Sequence, residues 1–85
     1  MLSSPVAQIT GRHLKAARAL LGWEQKDLAS AAEVAIGTVR RMESFEGAVE
    51  SHTATLNRVV KAFEDAGIEF LNSGRPGVRL TKETA

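Results

Sequence analysis

Two adjacent arginines, Arg40 and Arg41, are the residues of this sequence with the clearest capacity for recognition chemistry. A guanidinium group donates hydrogen bonds in a planar fork, which matches the paired acceptors of guanine and also binds phosphate. Just before them, Ile36 offers an apolar side chain that could meet a thymine methyl group, and Gly37 permits close approach of the backbone. Of the two arginines, Arg41 is the better candidate for a bidentate contact to guanine, whereas Arg40 suits a base edge and a phosphate equally. The alternative for both arginines is an ordinary solvated helix face, and for Gly37 it is a packing requirement.

The apolar pattern around these residues predicts two short helices. One helix is expected over about 25–32 and a second over 36–44, with residues 33–35 as the turn between them. Val39 and Met42 mark the buried side of the second helix, so the arginines would face outward. A helix with an apolar back and an arginine-bearing front, supported by another helix, has the geometry that enters a DNA major groove.

Two further helices are predicted on either side of this pair. Apolar residues at helical spacing predict a first helix over about 10–21, which Thr10 can cap and Gly22 can end. A continuous apolar stripe predicts a fourth helix that ends near Ala66. Ser51 or Thr53 is expected to cap this fourth helix at its amino end.

The end of the chain changes from helical spacing to alternation of apolar and polar residues. This alternation around a glycine-rich loop predicts a β-hairpin that pairs Ile68–Asn72 with Val78–Lys82. The expected organisation is therefore a flexible arm over 1–9, a helical domain over 10–66 and a hairpin over 67–85.

Charge is unevenly distributed although the chain of 85 residues has a net charge of only +1. Residues 1–41 carry +3, residues 42–73 carry −4 and residues 74–85 carry +2. A basic half beside an acidic half is typical of a protein with one surface that faces nucleic acid. The absence of cysteine excludes disulfides and fits the cytoplasm. No membrane span or secretory leader is expected, because no apolar run is long enough.

The sequence shows no pattern typical of an enzyme or a metal site. His13 and His52 are far apart, and neither lies in a zinc-ligand spacing with cysteine or carboxylate residues. No serine–histidine–aspartate arrangement, glycine-rich phosphate loop or carboxylate pair is apparent. We therefore expect no catalysis, no metal and no cofactor.

The stretch from Thr10 to Glu43 resembles the XRE-type helix-turn-helix regulators, the family of the phage repressors and Cro. It matches that family's two-helix motif at Gln25, Ala29 and Val39. It departs from the motif at Glu33, where the family usually has a glycine in the turn. If the turn requires a positive φ at this position, a residue other than glycine costs roughly 1 kcal/mol.

The resemblance implies a mainly α fold, namely a four-helix repressor-type helix-turn-helix domain with its motif over 25–43 and the hairpin added behind it. It also implies that Arg18 and Glu43 form an ion pair that holds the third helix, and that Gln25 contacts a phosphate and braces that helix. Helix amino ends bind phosphate, which agrees with the role of Gln25. Thr38 and Ser44 are also expected to contact phosphates. The alternative for Thr38 is an ordinary surface threonine.

These observations predict a sequence-specific transcription regulator that binds double-stranded DNA as a homodimer. The third helix would read the major groove of a pseudo-palindromic operator. Because a two-stranded hairpin is marginal alone and has unpaired edges, we expect the hairpin and fourth helix to form the dimer interface. The alternative is that the same residues close the core of one chain: Phe63, Ile68, Phe70, Val78 and Leu80. The alternative function is a protein-interaction module, such as an antitoxin or antiactivator, that binds a protein partner.

Overall fold

The computed structural model describes residues 9–71 and 76–81. In this part of the chain, four helices are followed by two antiparallel strands, which confirms the mainly α class with a carboxy-terminal β-hairpin. None of the described helices is long and apolar enough to cross a membrane. The elements in chain order are helix α1 (Gly11–Leu21), helix α2 (Gln25–Ala32), helix α3 (Ile36–Glu43), helix α4 (Thr53–Asp65), strand β1 (Ile68–Leu71) and strand β2 (Gly77–Leu80).

Helix α1 begins and ends where the sequence predicts. The Thr10 hydroxyl accepts a hydrogen bond from the amide of His13 at 3.3 Å, and Gly22 ends the helix with a left-handed φ of 69°. The expected flexible arm over 1–9 is wrong at its last position, because Ile9 is 0% exposed and its carbonyl accepts from the Val49 amide at 2.8 Å. The rest of that arm lies outside the described residues.

The amino end of α1 packs directly on the end of α3. The amide of Gly11 donates to the carbonyl of Phe45 at 3.1 Å, and Thr10 forms an isolated β-bridge with Ala48. A Cβ atom at Gly11 would overlap the Phe45 carbonyl oxygen and lie 2.6 Å from the Glu43 carbonyl oxygen. Only a residue without a side chain fits this contact.

Helix α4 follows the predicted apolar stripe but has a different cap. His52 occupies the cap position, and its side chain makes no capping hydrogen bond. The prediction of Ser51 or Thr53 as the cap is therefore wrong, since Thr53 is already the first helical residue. The chain compensates by burying one face of α4, which includes the fully enclosed Val59 and Phe63.

The two strands form the predicted hairpin, with β2 beginning one residue earlier than predicted, at Gly77, and ending before Thr81. The expected strand ends Asn72 and Lys82 lie outside the described residues. On the outward face, Arg79 Nε donates to Glu69 at 3.1 Å across the ladder. On the inward face the opposed pairs are Ile68 with Leu80 and Phe70 with Val78.

One apolar core connects all of these elements. Helix α2 packs against α3 and α4, while α1 packs against α3 and β2, and β1 packs against α4. A row of aromatic rings crosses the core, with Trp23 stacked on Phe63 at 5.7 Å between centroids and Phe63 edge-on to Phe70 at 6.0 Å. The largest fully buried side chains are those of Phe63, Ile9, Leu14, Leu28, Met42, Val39 and Val59.

Candidate nucleic-acid interface

A short turn, residues 33–35, joins α2 to α3. Its first residue, Glu33, has a left-handed backbone with φ 60° and ψ 47°, which is the strained conformation expected where a glycine is usual. The turn also closes the end of α2, because the Val34 amide donates to the carbonyl of Ala29 at 3.0 Å. Only these three residues separate the two helices, and α3 packs against α2.

Helix α3 has one buried face and one exposed face. Val39, Met42 and Glu43 are buried against the rest of the domain. The exposed positions recur at the spacing of a single helix face, which places them side by side. They are Gly37, Arg40, Arg41 and Ser44.

The buried carboxylate of Glu43 connects α3 to α1 and to the segment before α2. Its side chain is 3% exposed and accepts from Arg18 Nε at 2.6 Å and from Arg18 Nη2 at 3.0 Å, the bidentate geometry of a strong ion pair. Arg18 Nη1 also donates to the carbonyl of Trp23 at 3.0 Å. One guanidinium therefore ties α1 to α3 and to the segment that leads into α2.

Gln25, the first residue of α2, completes this network. Its Nε2 donates to Glu43 Oε1 at 3.0 Å, so its side chain is hydrogen-bonded to the last residue of α3. This bond uses one of the two hydrogens on Nε2, and the side chain is only partly buried. The second hydrogen remains suited to the phosphate contact predicted for this residue.

The residues in the first turn of α3 differ in burial. Ile36 is partly buried and packs against the core, so only part of its side chain is exposed for the predicted contact with a thymine methyl group. At Gly37 an added Cβ would meet nothing within 4 Å, so no packing requirement among the described residues explains this glycine. Thr38 is partly buried. Gly37 thus remains the residue of this turn best placed for close approach of another molecule.

The exposed end of α3 is partly occupied by contacts within the chain. Arg41 donates from Nη1 to the Glu50 carbonyl at 2.9 Å and from Nη2 to the Ser51 hydroxyl at 3.2 Å. The Ser44 hydroxyl donates to the carbonyl of Arg41 at 2.6 Å, which uses the hydrogen that a phosphate contact would need. Among the described residues, Arg40 forms no hydrogen bond or ion pair.

The residues predicted to form a dimer interface divide into two groups. Phe63, Ile68 and Phe70 are 0%, 3% and 8% exposed and belong to the core of the single chain, which was the alternative reading. Direct contacts from these three side chains to a second copy are therefore not available in this arrangement. Val78 and Leu80 also pack against the core but remain partly exposed.

His13, for which the sequence predicts no binding or structural role, is a buried titratable group at the start of α1. The Thr10 amide donates to its Nδ1 at 3.0 Å, so the neutral ring carries its hydrogen on Nε2. That Nε2 has no hydrogen-bond partner. Burial lowers the pKa of His13 from its usual 6.5, because the charged form would lose its hydration.

This histidine should make folding sensitive to mild acid. A pKa lowered in the folded state means that its stabilising contribution is complete above the unfolded value of 6.5 and is lost as the pH falls below it. We expect the free energy of unfolding, measured by urea titration, to decrease between about pH 7 and pH 5. His13→Gln keeps an acceptor for the cap and should flatten this dependence, whereas substitution of the exposed His52 by Gln should not. Equal slopes in all three proteins would contradict the role of His13.

The described residues contain no group of three or more histidine, aspartate or glutamate side chains that could hold a metal ion. A cleft of about 340 Å³ lies between α1 and β2, bordered by Arg12, His13 and Val78, and it is open to solvent. Comparison with known proteins adds no further assignment, since no protein-family model matches the chain and no curated protein matches it.

Proposed function

We propose that this protein is a sequence-specific DNA-binding transcription regulator of the XRE-type helix-turn-helix family. The observation that carries the proposal is the fixed position of α3, whose buried Glu43 is held by Arg18 and Gln25 while its opposite face is exposed. In the proposed complex α3 lies in the major groove. A helix that is already ordered before binding avoids the entropy cost of ordering on DNA, which would reduce the affinity.

Charge supports the same surface. The exposed face of α3 carries two arginines and no acidic residue, and the one carboxylate on this helix, Glu43, is buried and paired with Arg18. Glu43 therefore contributes little negative potential at the exposed face. Phosphate oxygens would be attracted to this face at long range, which is the first step of protein–DNA association.

We further propose that the protein binds a pseudo-palindromic operator as a homodimer. A single small helix offers limited affinity, whereas two copies bound about one turn of DNA apart combine their binding energies. The second copy would pair with a free edge of the hairpin rather than with its buried side chains. Backbone pairing of this kind uses groups that a two-stranded sheet leaves without partners.

Selection of bound sequences from a random DNA pool tests this function. We expect an enriched motif with two inverted half-sites, and an affinity that falls steeply between two salt concentrations. The double variant R40A/R41A should lose this binding. The matched control R58A/K61A removes two exposed charges from α4 and should bind nearly as well as the natural chain. If the natural chain enriches no sequence, the proposed function is wrong.

Gly37→Ala separates DNA binding from folding. Alanine should raise the free energy of unfolding by about 0.5–1 kcal/mol, because it restricts the unfolded chain and meets no atom in the folded one. The same methyl group should weaken binding to the selected operator, since it would stand between the helix backbone and the bases. Gly47→Ala, in the loop after α3, adds a methyl with equal space and is the control. Unchanged operator affinity in a stabilised Gly37→Ala variant would exclude close approach at this position.

One observation keeps a second function in view. The net charge is only +1, and residues 42–73 are acidic, which suits a module that binds a protein partner through the same scaffold. The selection experiment distinguishes the two functions. A protein-interaction module predicts no enriched DNA sequence together with a partner that co-purifies in a defined ratio.

A further inference from the structure

The two adjacent arginines of α3 have different surroundings. Both are exposed, and both follow Val39 on the same helix. Arg41 contacts the segment between α3 and α4, whereas Arg40 has no hydrogen bond or ion pair with any described residue. This difference bears on which of the two arginines reads DNA.

The guanidinium of Arg41 is already occupied within the chain. Its two terminal nitrogens donate to the Glu50 carbonyl at 2.9 Å and to the Ser51 hydroxyl at 3.2 Å. The group also lies over the ring of Phe45, 5.8 Å from its centroid. The paired terminal nitrogens are one of the two forks with which an arginine can bind guanine, and each of them already gives one of its two hydrogens to a partner in the chain, so a base contact through that fork would compete with these bonds.

Arg40 is placed differently on the same face. It lies one turn after Gly37, where an added Cβ would meet nothing within 4 Å. The backbone at Gly37 can therefore approach a surface closely while the Arg40 guanidinium, with all its donors available, extends beside it. An arginine with this freedom can adopt the bidentate geometry at guanine without first losing contacts in the protein.

We propose that Arg40 is the arginine that reads a guanine, and that Arg41 is a positioning residue that fixes the segment between α3 and α4. This assignment rests on the function proposed above and deepens it. It makes Arg40 responsible for sequence preference. It makes Arg41 responsible for the path of residues 45–51. Phe45 and Ala48 of this segment pair with the amino-terminal end of α1 and its cap residue.

Sequence selection with single variants tests the division of roles. For R40A we expect discrimination at one or two operator positions to fall by about tenfold to a hundredfold. For R41A we expect weaker binding to every sequence with the same order of preference. R41K should keep the preference as well, because a lysine can still donate to the Glu50 carbonyl but cannot make the bidentate contact.

A double-mutant cycle with Ser51 distinguishes a positioning role of Arg41 from a simple loss of its charge. If Arg41 acts through its contact with Ser51, the effects of R41A and S51A on operator affinity should be non-additive, whereas those of R40A and S51A should add. Circular dichroism would establish that each variant is folded before its binding is measured.

Three outcomes would overturn this assignment: a lost preference in R41A with R40A unchanged, a lost preference in both, or a preference unchanged in both. Additive effects of R41A and S51A would overturn the positioning role of Arg41. These results differ from failure of the proposed function, in which the natural chain itself selects no sequence.

Discussion

Replacement of Arg18 by methionine is expected to lower the free energy of unfolding by roughly 3–5 kcal/mol. The substitution leaves the Glu43 carboxylate 3% exposed and without its two hydrogen bonds from the guanidinium, which also donates to the Trp23 carbonyl. Removal of one partner of a buried pair costs more than the pair itself contributes, because the remaining charge is desolvated. Urea titration followed by far-ultraviolet circular dichroism would measure the change.

The double variant R18M/E43L distinguishes a stranded charge from lost packing. With both charged groups replaced by apolar ones of similar size, most of the lost stability should return. Recognition should not return with it, since Gln25 then has no carboxylate to brace. A change below about 1 kcal/mol in R18M, the range of a surface ion pair, would contradict the anchoring role of this network.

Gly11→Ala is expected to destabilise the fold by about 1–3 kcal/mol or more, although alanine is normally the better helix residue. The reason is local space, because the new methyl group would overlap the carbonyl oxygens of Phe45 and Glu43. These are backbone atoms and cannot turn away as a flexible side chain could. The midpoint of thermal unfolding would report the effect.

Gly47→Ala is the matched control for this substitution. It also adds one methyl group near the end of α3, but nothing lies within 4 Å of the new atom. We expect its midpoint to stay close to that of the natural chain. Equal midpoints for Gly11→Ala and Gly47→Ala would show that the contact between α1 and the end of α3 can relax, and would contradict the tight packing described above.

The helices that the sequence predicts best are those whose ends depend on neighbouring residues. Thr10 and His13 cap α1 through contacts three positions apart, and the Asp27 carboxylate accepts from the Glu24 amide at the start of α2 at 2.8 Å. Such signals are visible in a short window of sequence. The same is true of the hairpin, whose alternation of apolar and polar residues is a local pattern.

The features that the sequence does not predict depend on contacts between distant segments. Ile9 is buried, and its carbonyl pairs with the amide of Val49, which follows three helices later in the sequence. The partners of Arg41 depend on the path of residues 45–51, a loop with no periodic pattern. The open space at Gly37 likewise cannot be deduced from its neighbours, since a glycine in a helix is equally consistent with close packing.

The stacking of Trp23 on Phe63 has a practical consequence. Trp23 is the only tryptophan in the chain, and the chain has no tyrosine. Its backbone carbonyl accepts a hydrogen bond from the Arg18 guanidinium, and its ring stacks on Phe63 of α4. The environment of the indole ring therefore changes when either contact is lost. Intrinsic fluorescence from this protein therefore comes from one known position, and it reports without any attached label on the point where α2 joins the core.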